Sequence, residues 1–194
     1  MKYTTFKDIP KLTKDGSYRV NMSWQDVGQT LNKWATAYNL NLNPDFQRAH
    51  VWDEEKQIRY IEFRLRGGNS GRDILFNNAE WGSKTQKNMV LVDGKQRLEA
   101  LRRFINNEIK VFDSFYQEYT DSSSLVNIDF IFAVNDLPTR ADVLRWYIEI
   151  NAGMVAHTKE EIKKVQELLE QEEKLGLTPG QDHREDARLA RKFR

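Results

Sequence analysis

The stretch from Met89 to Ile105, MVLVDGKQRLEALRRFI, decides how this chain is organised. Its first four residues form a short apolar run of the kind found in strands. Asp93-Gly94 then has the composition of a tight turn. After the turn, apolar residues recur at the three- and four-residue spacing of a helix: Leu98, Leu101, Phe104 and Ile105. We therefore predict a strand, a turn and a helix in direct succession.

Segments on both sides of this unit predict further strands and a long helix. Asp73 to Phe76 and Val126 to Val134 have the apolar composition of strands. Nearer the amino terminus, Ser23 is placed to cap a helix. The apolar stripe of that helix is Trp24, Val27, Leu31, Trp34 and Tyr38.

Three more helices are predicted from the signals at their ends. Asp53 is a candidate cap for a helix that Gly67-Gly68 ends. Pro138 is placed for the first turn of the next helix, and Thr158 with Glu161 has the spacing of a capping box for the last one. The chain is thus predicted to be α+β, with a small mixed sheet flanked by helices. Residues 1–175 would form one domain, and 176–194 a charged C-terminal helical arm.

Composition excludes several classes of function. The chain has 194 residues, and its 30 lysines and arginines nearly balance 29 acidic residues, so an anion site must be local. Without cysteine there are no disulfides, thiolate metal sites or iron–sulfur clusters. His50, His157 and His183 are too far apart in sequence to suggest a zinc site. No apolar run has the length of a signal peptide core or a membrane span, so we expect a cytoplasmic protein without a membrane partner.

The turn from Asp93 to Arg97 is the sharpest candidate for a functional site. Backbone N–H groups at a helix start attract phosphate, and Arg97 in the first turn can add a charge-assisted contact. The carboxylate of Asp93 is placed to hold a divalent metal, Mg²⁺, against phosphate oxygens. The same residues also fit an ordinary turn in which Arg97 pairs with a carboxylate, and the spacing alone leaves both interpretations open.

Two other polar segments are weaker candidates. Gln47 and Arg48 lie in the non-helical stretch from Pro44 to Trp52, where they fit the rim of a polar pocket. The alternative is a loop anchored by its aromatic residues, with Arg48 in solvent. Asn151, in the segment Ile150-Asn151-Ala152-Gly153, fits either a ligand contact or a plain connector between two helices.

Taken in order, these three segments give a resemblance to a known family. The chain resembles, over roughly residues 20 to 170, the N-terminal domain family of GmrSD-type modification-dependent restriction enzymes, within the ParB and sulfiredoxin-like superfamily. The most specific element is the aspartate-glycine-glutamine-glutamine-arginine signature, here Asp93-Gly94-Lys95-Gln96-Arg97 with lysine in the third position. The resemblance implies a ParB-like fold and nucleotide binding and hydrolysis coupled to DNA restriction.

The resemblance also assigns expected roles to these residues. Arg97, Lys95 and the backbone at Gly94 would hold the phosphates of a nucleoside triphosphate. Asp93 would hold the metal or orient a water, and Gln96 would position that water or the ribose. The opposite wall of the site would come from Gln47, Arg48 and Asn151.

Two alternative functions stay open. In the first, the chain is a DNA-binding or DNA-nicking protein that recognises backbone phosphates through five arginines: Arg59, Arg64, Arg66, Arg102 and Arg103. In the second, it is a non-catalytic phage protein that binds a host enzyme. Larger family members often carry a His-Asn-His nuclease, for which these histidines are not spaced, so we expect the chain to act alone or with a separate nuclease. Short stand-alone members of the family are often encoded by phages or mobile elements, and the resemblance is compatible with either source.

Overall fold

The computed structural model describes residues 2–13, 18–47, 52–81, 88–152 and 159–175. Its five helices are α1 (Trp24–Tyr38), α2 (Glu54–Leu65), α3 (Lys95–Ile105), α4 (Arg140–Ala152) and α5 (Lys159–Leu175). Its four strands are β1 (Tyr18–Ser23), β2 (Asp73–Asn77), β3 (Val90–Asp93) and β4 (Asp129–Asn135). Short 3₁₀ helices lie at Phe6–Asp8, Tyr116–Glu118 and Ser122–Asn127.

The strands form one mixed sheet in the order β1-β4-β2-β3. The central pair, β2 and β4, is parallel, whereas β1 and β3 pair antiparallel at the two edges. The register between β2 and β3 shifts by one residue, since Phe76 faces Leu91 but Leu75 faces Asp93. Val92 is therefore the extra residue of a bulge, and such bulges re-aim the side chains beside them. The predicted α+β class is confirmed.

Helices cover both faces of this sheet. Successive residues of a strand point to opposite faces, so Leu91 belongs to one core and Val92 to the other. The larger core packs the sheet against α1, α2 and α3, and Trp34 contacts both Phe76 and Phe132 there. The smaller core packs the other face against α4 and α5. The turn after β3 thus lies between the two helical layers.

Local signals set most element ends as predicted. Ser23 caps α1 by accepting a hydrogen bond from the Gln25 backbone N–H, and Asp53 caps α2 in the same way through Lys56. The chain leaves α2 through Gly67 in a left-handed conformation. The predicted capping residue Thr158 and the predicted arm, 176–194, lie outside the described residues. None of the helices in the described ranges has the length and apolar character to cross a membrane.

Two predicted element boundaries need correction, and one strand was missed. The last strand begins at Asp129 rather than Val126, because Ser122–Asn127 is a 3₁₀ helix that buries Leu125. Pro138 precedes α4 instead of lying in its first turn; Thr139 is the cap, and its hydroxyl accepts from the Asp142 N–H. β1 was not predicted, although Tyr18, Val20 and Met22 alternate with polar residues in the pattern of a strand, and Val20 and Met22 are partly buried against the larger core.

Candidate functional site

The turn after β3 depends on glycine at position 94. Gly94 has φ +109°, a conformation that residues with a side chain rarely adopt. A Cβ atom at this position would lie 2.6 Å from Cδ1 of Ile74 and 3.2 Å from its Cα. The close approach to β2 and the sharp entry into α3 therefore both require glycine. Gly94 is also the N-cap of α3 and gives that helix no side-chain cap.

Three segments that are far apart in sequence meet at a pocket beside this turn. Gln47 lines one side, the turn from Val92 to Gln96 lines the floor, and Tyr147 and Asn151 of α4 line the other side. The pocket is a shallow, half-open depression with a cavity volume of about 40 Å³, and the empty space around it reaches about 310 Å³ when the open solvent at its mouth is included. The structure therefore brings together Gln47, Asp93, Gly94, Lys95, Gln96 and Asn151 from the predicted set. Arg48 lies outside the described residues.

The walls of the pocket are held by hydrogen bonds to the backbone. The Gln47 amide nitrogen donates to the Leu91 carbonyl at 2.6 Å, which ties the loop to β3. On α4, the buried Asn151 amide donates to the Tyr147 carbonyl at 2.7 Å. The buried ring of Phe46 packs edge-on against Tyr147, with centroids 5.2 Å apart, and so joins the two walls. Among these contacts, the Phe46–Tyr147 pair is the one that links the loop to α4.

Tyr147 was not predicted as a pocket residue from the sequence. Its spacing contained a usable signal, because Tyr147 lies four residues before Asn151 and so shares one face of α4. Gln96 lines the pocket, and its side-chain amide oxygen also accepts a hydrogen bond from the Trp52 backbone N–H at 3.0 Å. Gln96 thereby connects α3 to the segment that leads into α2.

Arg97 is held by Asp93 at the edge of this site. Its guanidinium donates to the Asp93 carboxylate, one helical turn away, and its side chain is mostly buried. Arg97 is not among the described residues that line the pocket; its Cδ instead lies beside Gly71, next to the ring of Tyr60. Burial raises the pKa of Tyr60 to about 12, although the nearby Arg97 and Arg64 act in the opposite direction. The ion-pair alternative for Arg97 is thus present in this structure.

Comparison with known proteins supports one family. The family model described as the GmrSD restriction endonuclease N-terminal domain matches residues 31–184, which is most of the chain. The chain belongs to this family. No curated protein and no solved structure matches it. The match to the GmrSD N-terminal domain includes all three segments of the pocket, from Gln47 to Asn151. The ParB-like assignment stays a prediction.

The arginines predicted to bind DNA are not a continuous surface in this GmrSD domain. Arg64 is 3% exposed and donates to the Asp129 carbonyl at 2.7 Å. Arg102 is also buried, and its hydrogen bonds to Glu99 and Glu108 raise its pKa. Both side chains are thus enclosed by protein in this structure, and DNA binding through them stays a prediction.

The other three arginines of that set lie nearer the surface. Arg103 is tied to α2 by hydrogen bonds of 2.8 Å to Gln57 and Glu54. Arg59 is exposed and pairs with Glu55, and the exposed Arg66 lies over the ring of Phe112. Each of the three side chains thus has a protein partner of its own, and only Arg59 and Arg66 are fully open to a large ligand.

Proposed function

We propose that this GmrSD N-terminal domain binds a nucleoside triphosphate with Mg²⁺ in the pocket at Asp93 to Gln96 and hydrolyses it. Membership of a family named for restriction endonucleases suggests a role in DNA restriction or phage–host conflict. The finer proposal rests on one observation. Three segments separated by about fifty residues each place polar side chains around a single glycine turn at a helix start.

The chemistry of the turn suits a phosphate chain. The positive end of the α3 dipole stabilises an anion, and glycine leaves room for phosphate oxygens to approach the backbone. Lys95 lines the same pocket and adds an ammonium group. Phosphate binding would thus use the backbone at Gly94 and the side chain of Lys95, while Gln47, Tyr147 and Asn151 contact the rest of the nucleotide.

Asp93 is suited to a magnesium ion bound together with the phosphates. Magnesium usually takes one or two carboxylates and completes its shell with phosphate oxygens and water. The Asp93 side chain is one-third exposed and lines the pocket, so its carboxylate can reach such an ion. Arg97, which pairs with Asp93 from outside the pocket lining, would hold that carboxylate in position and add positive charge near the phosphates. Gln96 would position the attacking water or the ribose.

A thermal melt with a panel of common triphosphates, with and without Mg²⁺, tests binding. A ligand present at one hundred times its Kd stabilises by about 2.7 kcal/mol. For a domain of this size that corresponds to a rise in Tm of roughly 5–10 °C. Release of inorganic phosphate in the same samples tests hydrolysis. If no triphosphate raises the Tm in either condition, the proposal is wrong.

Matched lysine variants make the test specific to the pocket. Lys95→Ala should reduce the triphosphate shift, whereas Lys33→Ala, an exposed lysine on α1, should leave it unchanged. Asp93→Asn should remove the dependence on Mg²⁺. Equal losses in both lysine variants would indicate a diffuse electrostatic effect and contradict a site at the turn.

DNA, a separate nuclease and a host protein remain predicted partners. The family description suggests interaction with DNA. Among the five predicted arginines, Arg59 and Arg66 are exposed, and any contact with backbone phosphates would depend mainly on these two. Such binding should weaken steeply as the salt concentration rises.

A further inference from the structure

A second group of polar side chains lies at the same end of the sheet but on its other face. Arg64 of α2 reaches the start of β4, where one guanidinium nitrogen, Nη2, donates to the Asp129 carbonyl. Its guanidinium carbon lies 5.9 Å from the ring centroid of Trp24, the first residue of α1. The two side chains are 3% and 0% exposed. They are thus shielded from solvent where α1, α2 and β4 meet.

This group has three buried hydrogen-bond donors without acceptors among the described residues. The Nε and Nη1 atoms of Arg64 and the Nε1 atom of Trp24 are buried, and no acceptor in the described part of the chain is within reach. All three atoms only donate, because neither guanidinium nor indole nitrogen has an acceptor site. A buried donor without an acceptor carries its full desolvation cost. The group therefore calls for an acceptor other than the described protein atoms.

The charges around the group favour an anion as that acceptor. Asp129 is the one carboxylate paired with both Arg64 and Arg72, at 3.8 Å and 3.2 Å, so the two guanidiniums leave a net positive charge. Burial lowers the pKa of Arg64, which means that its charged form is under-stabilised. Trp24 begins the fifteen-residue helix α1, whose positive dipole end adds to the field. A bound anion would balance the net charge of the two guanidiniums, stabilise the charged form of Arg64 and interact favourably with the α1 dipole.

We propose that Arg64 binds a small inorganic anion, a halide ion, with the Trp24 indole beside it and Arg72 towards the solvent. Arg72 is 26% exposed and supplies the route of entry. The bound anion would join α1, α2 and β4 and stabilise their packing. This site is separate from the pocket at Asp93 to Gln96, and the inference does not depend on nucleotide binding.

The test is a thermal melt of the full chain in potassium chloride, bromide or gluconate at equal ionic strength. Gluconate is too large for a buried site and serves as the control anion. We expect a Tm that rises and saturates with chloride or bromide but not with gluconate. Identical Tm values in all three salts would overturn the proposal.

Variants assign the effect to Arg64. Arg64→Lys keeps the charge but removes the forked donors, so the saturable rise should disappear, whereas Arg59→Lys on the exposed face of α2 should retain it. If Arg64→Lys does not fold, Asp129→Asn gives a second test, since removing the competing carboxylate should tighten halide binding several-fold. A halide response that persists in Arg64→Lys, or that is unchanged or weaker in Asp129→Asn, would contradict the site.

Discussion

Replacing Gly94 with alanine should destabilise the protein through two separable effects. The first is backbone strain, because alanine at φ +109° costs about 1–2 kcal/mol. The second is steric, since the new Cβ would lie 2.6 Å from Cδ1 of Ile74. Overpacking of this kind costs about 1–3 kcal/mol. Together they predict a loss of about 2–5 kcal/mol in the free energy of unfolding, a large share of the stability of a typical domain.

Gly67 provides a matched control. It also has a positive φ, +85°, but an added Cβ there would meet nothing within 4 Å. Gly67→Ala should therefore cost only the strain, about 1–2 kcal/mol. Both alanines lower the entropy of the unfolded chain equally, so that contribution cancels in the comparison. The difference between the two variants, about 1–3 kcal/mol, measures the steric effect.

A double-mutant cycle with Ile74→Val identifies the contact itself. This change removes the Cδ1 atom and costs about 0.5–1.5 kcal/mol in the wild type. In the Gly94→Ala background it should cost less or even stabilise, because the clashing atom is gone, and we expect a coupling energy of about 1 kcal/mol. Urea unfolding followed by circular dichroism measures all variants. Equal losses for the two glycine variants, or additive effects in the cycle, would refute the reasoning.

Two further predictions concern polar contacts. Hydrogen bonds from Arg102 hold the pKa of Glu108 below its usual value, so its stabilising effect is present above the unfolded pKa, about 4.3, and is lost as pH falls through the lower folded value. Glu108→Gln should therefore reduce the difference between the urea midpoints measured at pH 7 and pH 3. The control Glu55→Gln, at an exposed residue, should leave that difference unchanged. Equal reductions in both variants would contradict the prediction. The buried amide of Asn77 donates to the Leu137 carbonyl and accepts from its N–H. Asn77→Ala leaves both backbone groups unpaired and should lower the free energy of unfolding by about 2–4 kcal/mol. The control Asn21→Ala, at an exposed residue, should lower it by about 0.5 kcal/mol or less. Similar urea midpoints for the two variants would show that the Asn77 hydrogen bonds contribute little to stability.

Much of the local structure is readable because its signals lie close together in the chain. The apolar stripe and the Ser23 cap of α1 are within one segment, and so are the strand, turn and helix around Gly94. β1 was missed although Tyr18, Val20 and Met22 alternate with polar residues; its place at the edge of the sheet depends on pairing with β4, more than a hundred residues away. The start of β4 was misplaced because Val126 and Asn127 are the end of a 3₁₀ helix, which an apolar run in the sequence does not distinguish from the start of a strand.

The candidate site also has a part that the sequence predicts and a part that only the tertiary structure shows. The sequence alone identified the glycine turn and the two other polar segments, because Gly94, Gln47 and Asn151 stand in recognisable local patterns. Their convergence was decided by the tertiary structure, since only the packing of α4 across β3 brings Asn151 beside Gln47.

Tertiary structure also decided the fate of the arginines. Arg59 and Arg64 look alike as charged residues of one helix, yet one is exposed and the other buried against β4. Periodicity shows which residues share a helix face, but it does not show which of them are buried. A charged side chain is buried only where a distant part of the chain, here β4, supplies a carbonyl or carboxylate that compensates its desolvation.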